Sequence, residues 1–326
     1  MFGLGVAKKV TEKKIDSEKL EAYSLNVPDQ SLKFLRSGPT ISLQGMIVRP
    51  LKLLALILLL SSFLVIACFV SVGISLFRLP RWRIVGRLMR RFNWILRILL
   101  NIKIKLLGST GSIGAGGHFI VSNHHGYLDG IVLGSLFPVT FVTKREVKRW
   151  PVIGQLMMLM GTIFIDRENK QDIVRVVDRI SHALRGGTNV LLFPEGTSTD
   201  GEKLLPFQSG FFAAPLMADA AIAPVTLGYR FVDQEPLSLE NRDRVYWYGD
   251  MSFAPHLWDL LGTNSIEVSV KIHPHLETSL LENTSRNRKQ LSQTCHDVIA
   301  RRENRGVEKS PAAVRPFSRA TRRQSL

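Results

Sequence analysis

Two side chains in the segment from Asn123 to Asp129 could act together as a base and the carboxylate that orients it. His124 and Asp129 follow an apolar run, residues 118–122, that predicts a buried strand, and the next apolar stretch predicts a helix. Side chains five residues apart do not share a helix face, so the pair can meet only if His124 precedes the helix and Asp129 lies in its first turn. Asp129 would then accept from one ring nitrogen and leave the other free to take a proton. The alternative is a polar loop with a structural histidine.

Two further stretches, residues 161–167 and 193–197, end strand-like runs on polar residues. Arg167 closes the first stretch. In the second, Glu195 precedes Gly196 and hydroxyl residues, whose backbone N–H groups can form a nest for an anion. Such a nest with Arg167 nearby would hold a phosphate. Each stretch also has a purely structural interpretation, with Arg167 in a surface ion pair and Glu195 as a helix cap.

The composition indicates an anionic partner and no disulfide or zinc framework. The chain has 326 residues and a formal net charge of +16, which fits a phospholipid surface, a nucleic acid or a phosphorylated substrate. Its two cysteines, Cys68 and Cys295, predict no disulfide framework and fit a reducing cytosol. No Cys/His cluster has zinc spacing, so no metal is predicted. No nucleic-acid-binding motif accompanies the charge, so nucleic acid is not expected as a partner.

Two predicted helices near the N-terminus indicate attachment to a membrane. Residues 53–77 carry no charge, and this run of 25 residues would form a helix about 37 Å long, enough to cross a hydrocarbon core of roughly 30 Å. Residues 81–100 separate arginines from apolar side chains, which is typical of a helix on an anionic membrane surface. The flank that follows the apolar run is the more basic one, which predicts the main domain on the cytoplasmic face, most simply of a bacterial inner membrane. Whether the apolar helix crosses the bilayer or returns as a hairpin stays open.

Beyond residue 100, strand-like and helix-like segments alternate. A helix is predicted over residues 170–184, and strands over residues 139–143, 162–165, 189–193 and 222–229. This alternation predicts an α/β fold with a mixed, largely parallel sheet flanked by helices, preceded by the membrane-embedded helix pair. The predicted organisation is a tail at 1–48, membrane-associating helices at 49–100, the main domain at 101–300 and a basic, disordered tail at 301–326.

Taken in order, these stretches resemble the motifs of the 1-acyl-sn-glycerol-3-phosphate acyltransferase family, the PlsC-like glycerolipid acyltransferases. The matching residues are Asn123, His124 and Asp129 for the first motif, Gly161, Phe164 and Arg167 for the second, Phe193 to Gly196 for the third, and Pro224 for the fourth. Lys144, ahead of the second motif, also looks like the family. The resemblance covers roughly residues 90–230.

The resemblance implies transfer of a fatty acyl group from acyl-CoA or acyl carrier protein to the free hydroxyl of a lysophospholipid. The acceptor most typical of the family is 1-acylglycerol-3-phosphate, which gives phosphatidic acid. His124 would be the base and Asp129 its partner, with no enzyme nucleophile. The implied substrate-binding residues are Lys144, Phe164, Arg167, Glu195, Gly196, Thr197 and Pro224. No cofactor besides the acyl donor is implied, and the implied partners are the lysophospholipid, the donor and anionic membrane lipid.

Two departures from the family pattern bear on the acceptor. Gly126 stands where the family often has Ser, and Ser198 stands where many lysophosphatidate enzymes carry Arg. A cationic contact to an acceptor phosphate is therefore missing, and a different lyso-lipid, such as lyso-ornithine lipid, is the alternative acceptor. A lipid hydrolase that uses His124 to activate water and a non-catalytic lipid-binding membrane protein are the other two classes that the sequence leaves open.

Overall fold

An eight-stranded sheet runs through the centre of the protein. The computed structural model describes residues 43–78, 81–107, 113–114, 116–167 and 169–307. Residues 47–326 form one unit, whose described part is presented below. Most of the predicted N-terminal tail and of the basic C-terminal tail, residues 1–42 and 308–326, lies outside the described residues.

The sheet is mixed and largely parallel, as predicted. Its strands are β1 (Ile102–Leu107), β2 (Phe119–Ser122), β3 (Val139–Lys144), β4 (Ile163–Ile165), β5 (Asn189–Leu192), β6 (Ile222–Val232), β7 (Glu235–Pro236) and β8 (Ile266–Ile272). Their order is β1-β8-β6-β2-β5-β3-β4, with β7 paired to β6. The pairs β6–β8 and β6–β7 are antiparallel, and the other five pairs are parallel. The α/β fold class read from the alternation of elements is confirmed.

Helices cover both faces of the sheet. They are α1 (Leu43–Phe77), α2 (Arg81–Leu99), α3 (Tyr127–Leu136), α4 (Ile153–Leu159), α5 (Lys170–Arg185), α6 (Ala213–Ala218), α7 (Phe253–Leu261) and α8 (Ser285–Val307). Side chains alternate between the faces along each strand, so Ile120 belongs to one buried cluster while Phe119 and Val121 belong to the other. The first cluster is shared with α1, α2, α3, α4 and α7, and the second with α5, α6 and α8.

Helix α1 packs one stripe of side chains on the protein and exposes the rest. Phe63 stacks on Phe92 of α2 with 4.0 Å between ring centroids. Near its start, Lys52 Nζ donates to the Thr263 carbonyl at 2.7 Å. Its other large apolar side chains, including Leu58, Val65, Phe69, Val72 and Leu76, are exposed. An apolar surface of this size needs lipid or another partner, and within the described chain α1 is the one helix long and apolar enough to cross a membrane.

Helix α2 is amphipathic, and its buried stripe packs on the sheet side. That stripe consists of Val85, Met89, Phe92 and Leu96. The outward side combines arginines with apolar side chains, namely Arg87, Arg90, Arg91, Trp94, Ile95 and Ile98. Basic and apolar side chains together on an exposed helix face are typical of a membrane interface.

Helix α2 also packs closely on α3, so the helices before residue 100 and the sheet domain after it belong to one unit. The close approach depends on Gly134, which faces Asn93 of α2. Asn93 is buried and donates from Nδ2 to the Met89 carbonyl at 3.0 Å. A Cβ atom at Gly134 would lie 2.6 Å from that same Nδ2 and 2.8 Å from the Phe141 ring.

The α2–α3 contact predicts a difference between two glycines of α3. We expect Gly134→Ala to lower the free energy of unfolding by about 1–3 kcal/mol, because the new methyl group overpacks against the Phe141 ring. Gly130 is the control, since a Cβ atom there would meet Phe141 at an ordinary 3.7 Å. Gly130→Ala should be neutral or stabilising by up to about 1 kcal/mol through helix propensity. Thermal unfolding in detergent measures both, and equal effects would contradict the packing described here.

Candidate active site

The loop between β2 and α3 brings His124 and Asp129 together. Strand β2 ends at Ser122 and α3 begins at Tyr127, so His124 lies in the loop and Asp129 in the first helical turn. His124 Nδ1 and Asp129 Oδ2 are 2.8 Å apart. The geometry is the one that the spacing of five residues required.

The Asp129 carboxylate is the hub of this loop. Its Oδ2 also accepts from the backbone N–H groups of His125 and Gly126 at 2.6 and 2.9 Å, and its Oδ1 accepts from the Tyr229 hydroxyl at 2.8 Å. The side chain is fully buried. Burial by itself would raise the pKa of this carboxyl, but the hydrogen bond and charge of His124, with help from its other donors, hold the pKa below its usual range. Asp129 is therefore an anion that accepts a hydrogen bond from His124.

Tyr229 is a partner of this site that the sequence analysis missed. It lies on β6, 100 residues from Asp129, and nothing in the local pattern distinguishes it from a core tyrosine. Burial and the Asp129 charge raise its pKa well above the ordinary tyrosine value, so its hydroxyl stays protonated and donates. Asn123 joins the loop to the same strand, because its side chain donates to the Leu227 carbonyl and accepts from the Leu227 N–H at 2.8 and 2.9 Å.

The second histidine of the loop, His125, is packed in the protein interior. His125 is buried, and its ring stacks on Tyr246 with 4.4 Å between centroids. Asn123 Nδ2 lies 2.8 Å from its Nε2. Burial lowers the pKa of His125, so this ring stays neutral. Of the two adjacent histidines, only His124 lines the large cavity described next.

A cavity of about 900 Å³, called the main cavity below, has His124 in its wall. Four of the predicted substrate-binding residues also line it, namely Lys144, Arg167, Gly196 and Thr197. The rest of the wall is mostly apolar and includes side chains of α1 and α2, such as Leu56, Leu60, Phe63, Met89, Phe92 and Leu96. A hydrocarbon chain matches this apolar part, and its polar end would then meet His124.

Both the ring and the backbone of His124 are held in place by neighbouring residues. Its ring stacks on Phe193 with 4.0 Å between centroids and 11° between planes. Its N–H donates to Glu195 Oε1 at 2.8 Å, and its carbonyl accepts from the Thr199 N–H at 2.9 Å. Glu195 Oε2 accepts from the Leu205 N–H at 3.0 Å. Both oxygens of this buried carboxylate therefore hold backbone of the site, and Glu195 does not line the main cavity, so its role in substrate binding stays a prediction.

Two other predicted substrate-binding residues do not reach the main cavity. Phe164 lines a separate cavity at the edge of the sheet. Pro224 is buried in β6 beside Val121 of β2, and its carbonyl accepts from the His273 N–H at 3.0 Å. Pro224 is thus a residue of the sheet interior, near the start of its strand, and its role in substrate binding stays a prediction.

The guanidinium of Arg167 lies in the wall of the main cavity. It forms no hydrogen bond within the described part of the chain, and its Nη1 is buried. Burial lowers the pKa of its guanidinium, while the nearby charge of Glu146 opposes that shift. Glu146 lines the same cavity and is exposed. The wall of the cavity therefore includes a cation and an anion that influence each other electrostatically, together with the exposed Lys144.

The turn after β5 offers two backbone donors to the cavity. Gly196 has φ of +80°, which favours glycine, and its own N–H is already bonded to the Phe193 carbonyl at 3.1 Å. The N–H groups of Thr197 and Ser198 make no hydrogen bond among the described residues, and both residues line the main cavity. The anion nest expected at Gly196 is thus available one and two residues later.

The close packing of Trp247 explains why this chain has glycine at position 126. A Cβ atom there would lie 2.9 Å from the backbone nitrogen of Trp247, and that nitrogen donates to the His125 carbonyl at 2.8 Å. Serine at this position would displace the Trp247 segment from the loop. The close approach of Trp247 therefore explains why this chain departs from the pattern with Ser.

The arrangement can perform general-base chemistry on a hydroxyl group at the end of an apolar cavity. His124 Nδ1 is occupied by Asp129, so Nε2 is the nitrogen left for a proton. Within the ranges that the structure describes, no group of three or more His, Cys, Asp or Glu side chains could hold a metal ion.

Comparisons with known proteins agree with this chemistry. A family model described as Acyltransferase matches residues 103–228. The chain is 31% identical over 220 residues to a lyso-ornithine lipid O-acyltransferase of Brucella abortus (strain 2308), covering 64% of this chain and 82% of that protein. It is 38% identical over 189 residues to a lyso-ornithine lipid O-acyltransferase of Rhodobacter capsulatus, covering 55% and 63%. It is 30% identical over 154 residues to a 1-acyl-sn-glycerol-3-phosphate acyltransferase of Neisseria gonorrhoeae, covering 47% and 58%. For these last two, the match spans less than two thirds of the relative.

A solved structure supports the fold. The crystal structure of the 1-acyl-sn-glycerophosphate acyltransferase PlsC from Thermotoga maritima superposes with a TM-score of 0.51 and 17% sequence identity. The match covers 79% of this chain and 99% of that one. The two chains therefore share the architecture of the sheet and its flanking helices.

The buried Asp129 carboxylate predicts a pH-dependent contribution to stability. Its pKa in the folded protein is below the unfolded value of about 3.9, so its stabilisation is present above that value and is lost as pH falls through the folded pKa. We expect Asp129→Asn to cost about 3 kcal/mol at neutral pH and progressively less below about pH 4. Thermal unfolding between pH 3 and 8 measures this, with Asp178→Asn at an exposed position as the control. A cost that stays constant across the range would contradict a charged Asp129.

Proposed function

This chain belongs to the PlsC-like glycerolipid acyltransferase family, and we propose that it transfers a fatty acyl group from a thioester donor to the free hydroxyl of a lyso-lipid. The observation that supports this most strongly is the contact between His124 and Asp129 at 2.8 Å, in the wall of a largely apolar cavity. A base next to a lipid-sized cavity suits a reaction whose acceptor is a lipid alcohol. The donor is acyl-CoA or acyl carrier protein.

The proposed reaction needs no covalent enzyme intermediate. His124 Nε2 takes the proton of the acceptor hydroxyl while the oxygen of that hydroxyl attacks the thioester carbonyl carbon. The tetrahedral intermediate collapses with cleavage of the C–S bond, and the imidazolium returns its proton to the thiolate that leaves. The products are an ester and a free thiol, so atoms and charge balance without a nucleophilic side chain.

Two groups of donors and acceptors would stabilise the charges of this reaction. Asp129 holds the His124 tautomer and stabilises the imidazolium, while Tyr229 and the loop amides keep Asp129 in place. The N–H groups of Thr197 and Ser198, which have no partner among the described residues, are the candidates to stabilise the carbonyl oxygen as it becomes an oxyanion. They are fixed by the turn after β5 and require no rearrangement before the reaction.

The N-terminal helices would keep this reaction at a membrane. The outer surface of α1 is apolar, and that of α2 combines arginines with Trp94 and Ile98. Their inner surfaces line the main cavity. A lipid acceptor could therefore pass from the bilayer to His124 along the same helices. We place the catalytic unit on the cytoplasmic face of a bacterial inner membrane, where the basic flank favours it.

The acceptor headgroup would meet Arg167 and Glu146. A phosphate would pair with Arg167 but be repelled by Glu146, and Ser198 supplies no second cation. An ornithine headgroup has a carboxylate for Arg167 and an ammonium for Glu146. The charge pattern therefore favours lyso-ornithine lipid as acceptor, which agrees with the activity named for the Brucella and Rhodobacter relatives. Lysophosphatidate stays the second candidate because Arg167 is a partly buried cation whose Nη1 has no hydrogen-bond partner among the described residues.

The role of the base is tested by substituting the two adjacent histidines separately. We expect His124→Ala to lower kcat by about 10²–10⁴-fold in folded, membrane-bound protein, since the general base is lost. His125→Ala should cost stability, because that ring is buried, but much less of the activity per folded molecule. Thin-layer analysis of labelled acyl product measures transfer. An active His124 variant would contradict the assignment, and release of free fatty acid without ester formation would indicate a hydrolase.

The acceptor is tested by changing two charges at the cavity. If the acceptor is lyso-ornithine lipid, Glu146→Gln should lower its kcat/KM about tenfold, the value of one charge-assisted hydrogen bond, and should not harm use of lysophosphatidate. Ser198→Arg should improve the use of lysophosphatidate only. Glu235→Gln, at an exposed position on β7, is the control. Wild-type activity confined to lysophosphatidate would overturn the preference for the ornithine acceptor.

A further inference from the structure

A second cavity lies at the open edge of the sheet, beside β4. We call it the edge cavity, and its volume is about 450 Å³. Strand β4 is the last strand in the sheet order. The walls come from α2, the turn after β3, the end of α4, β4 and α5, and the side chains that matter here are Trp82, Arg145, Lys148, Met158, Phe164 and Arg179.

The edge cavity has an excess of positive charge. Arg145 pairs with Asp166 at 3.2 Å. Lys148 and Arg179 are exposed and form no ion pair in the part of the chain that the structure describes. One carboxylate, that of Asp172, is also in the wall, and its Oδ2 accepts from the Asp166 N–H at 2.8 Å. Two cations are thus left for an anionic ligand.

The same cavity has aromatic walls. Trp82 and Phe164 both line it. Gly161 allows the Trp82 ring to come close, since a Cβ atom at that position would lie 3.3 Å from the ring. Gly161 and Phe164, the first two residues of the second motif, do not line the main cavity. The rings of Trp82 and Phe164 give the edge cavity an apolar surface in addition to the two cations. Aromatic rings of this kind are surfaces on which a planar base can stack.

The edge cavity adjoins the main cavity along three segments. In each segment, one residue lines the main cavity and its neighbour in the chain lines the edge cavity. The residues of the main cavity are Lys144, Met157 and Ile165, and their neighbours in the edge cavity are Arg145, Met158 and Phe164. Neighbouring residues therefore form the two sides of one wall. A long ligand could extend from one cavity to the other around this wall.

We propose that the edge cavity binds the adenosine phosphate end of an acyl-CoA donor while the thioester lies beside His124. The inference rests on the proposed acyl transfer and adds the donor to it. CoA carries its phosphorylated nucleotide and its thiol at opposite ends of a flexible arm, so it needs two adjoining sites. The phosphates pair with Lys148 and Arg179, and the adenine stacks on Trp82 or Phe164. A concave site with aromatic walls suits a nucleotide better than the convex acidic surface of a carrier protein.

The first test compares donors with and without the nucleotide. We expect the double variant Lys148→Glu/Arg179→Glu to raise KM for palmitoyl-CoA about tenfold or more, with kcat at saturating donor unchanged, because only binding is lost. KM for palmitoyl-N-acetylcysteamine, which has the thioester but no nucleotide, should not change. Arg175→Glu, an exposed cation on α5 outside both cavities, is the control. An unchanged KM for palmitoyl-CoA, or an equal rise in KM for both donors, would overturn the proposal. A rise in KM that is seen only with palmitoyl-acyl carrier protein as donor would also overturn it.

The second test does not depend on turnover. Titration of the full-length protein in detergent with adenosine 3′,5′-bisphosphate, followed by calorimetry, should show binding to wild type and to Arg175→Glu. Binding should weaken about tenfold or more in the double variant. Absence of binding to wild type would overturn the edge-cavity site. If binding behaves as expected while no lyso-lipid is acylated, the site stands and the proposed function fails.

Discussion

The buried carboxylate of Asp129 is the constraint on which the rest of the site depends. An anion removed from water is tolerable only when its oxygens are fully hydrogen-bonded, and here donors come from the loop before α3 and from Tyr229 on β6. Because these donors include two backbone N–H groups, satisfying the charge also fixes the path of the chain through His125 and Gly126. The orientation of His124 is a consequence of that path.

A second layer of contacts keeps this loop in place from outside. Glu195, Thr199 and Trp247 come from two separate segments, and each bonds the backbone of His124 or His125. The layer leaves no space at Gly126, so the chain cannot carry a larger residue there. A polar site built this way is rigid, and rigidity is what a base needs when its substrate is a flexible lipid.

The two N-terminal helices belong to the same structural unit as the site. Helix α2 packs closely on α3, and α1 contacts α2 through the stacked rings of Phe63 and Phe92. Side chains of both helices join the buried cluster on that face of the sheet and also line the main cavity. Their opposite surfaces are apolar or basic and exposed. A change that loosens α2 from α3 should therefore alter both the exposed surface of α2 and the main cavity, because the helices and the sheet belong to one unit.

The sequence by itself determined the elements and the central pair of the site. Continuous apolar runs and helical spacing are local properties, so β2 to β6, α5 and the apolar α1 could be predicted, whereas β1, β7 and β8 were not. The spacing of His124 and Asp129 allowed one geometry in which the two side chains can meet. What only the tertiary structure decided are contacts between distant segments. Tyr229 lies 100 residues from Asp129, and neither residue's neighbours encode that bond.

The same reason explains why some of the predicted substrate-binding residues do not line the main cavity. A motif records which residues occur together, but not whether each faces the ligand or the framework. Glu195 turns its carboxylate to backbone N–H groups, Pro224 is covered by neighbouring strands, and Phe164 faces the sheet edge because alternate side chains of a strand point to opposite sides. Which side meets the cavity is set by the order of strands, which is long-range information that local sequence patterns do not contain.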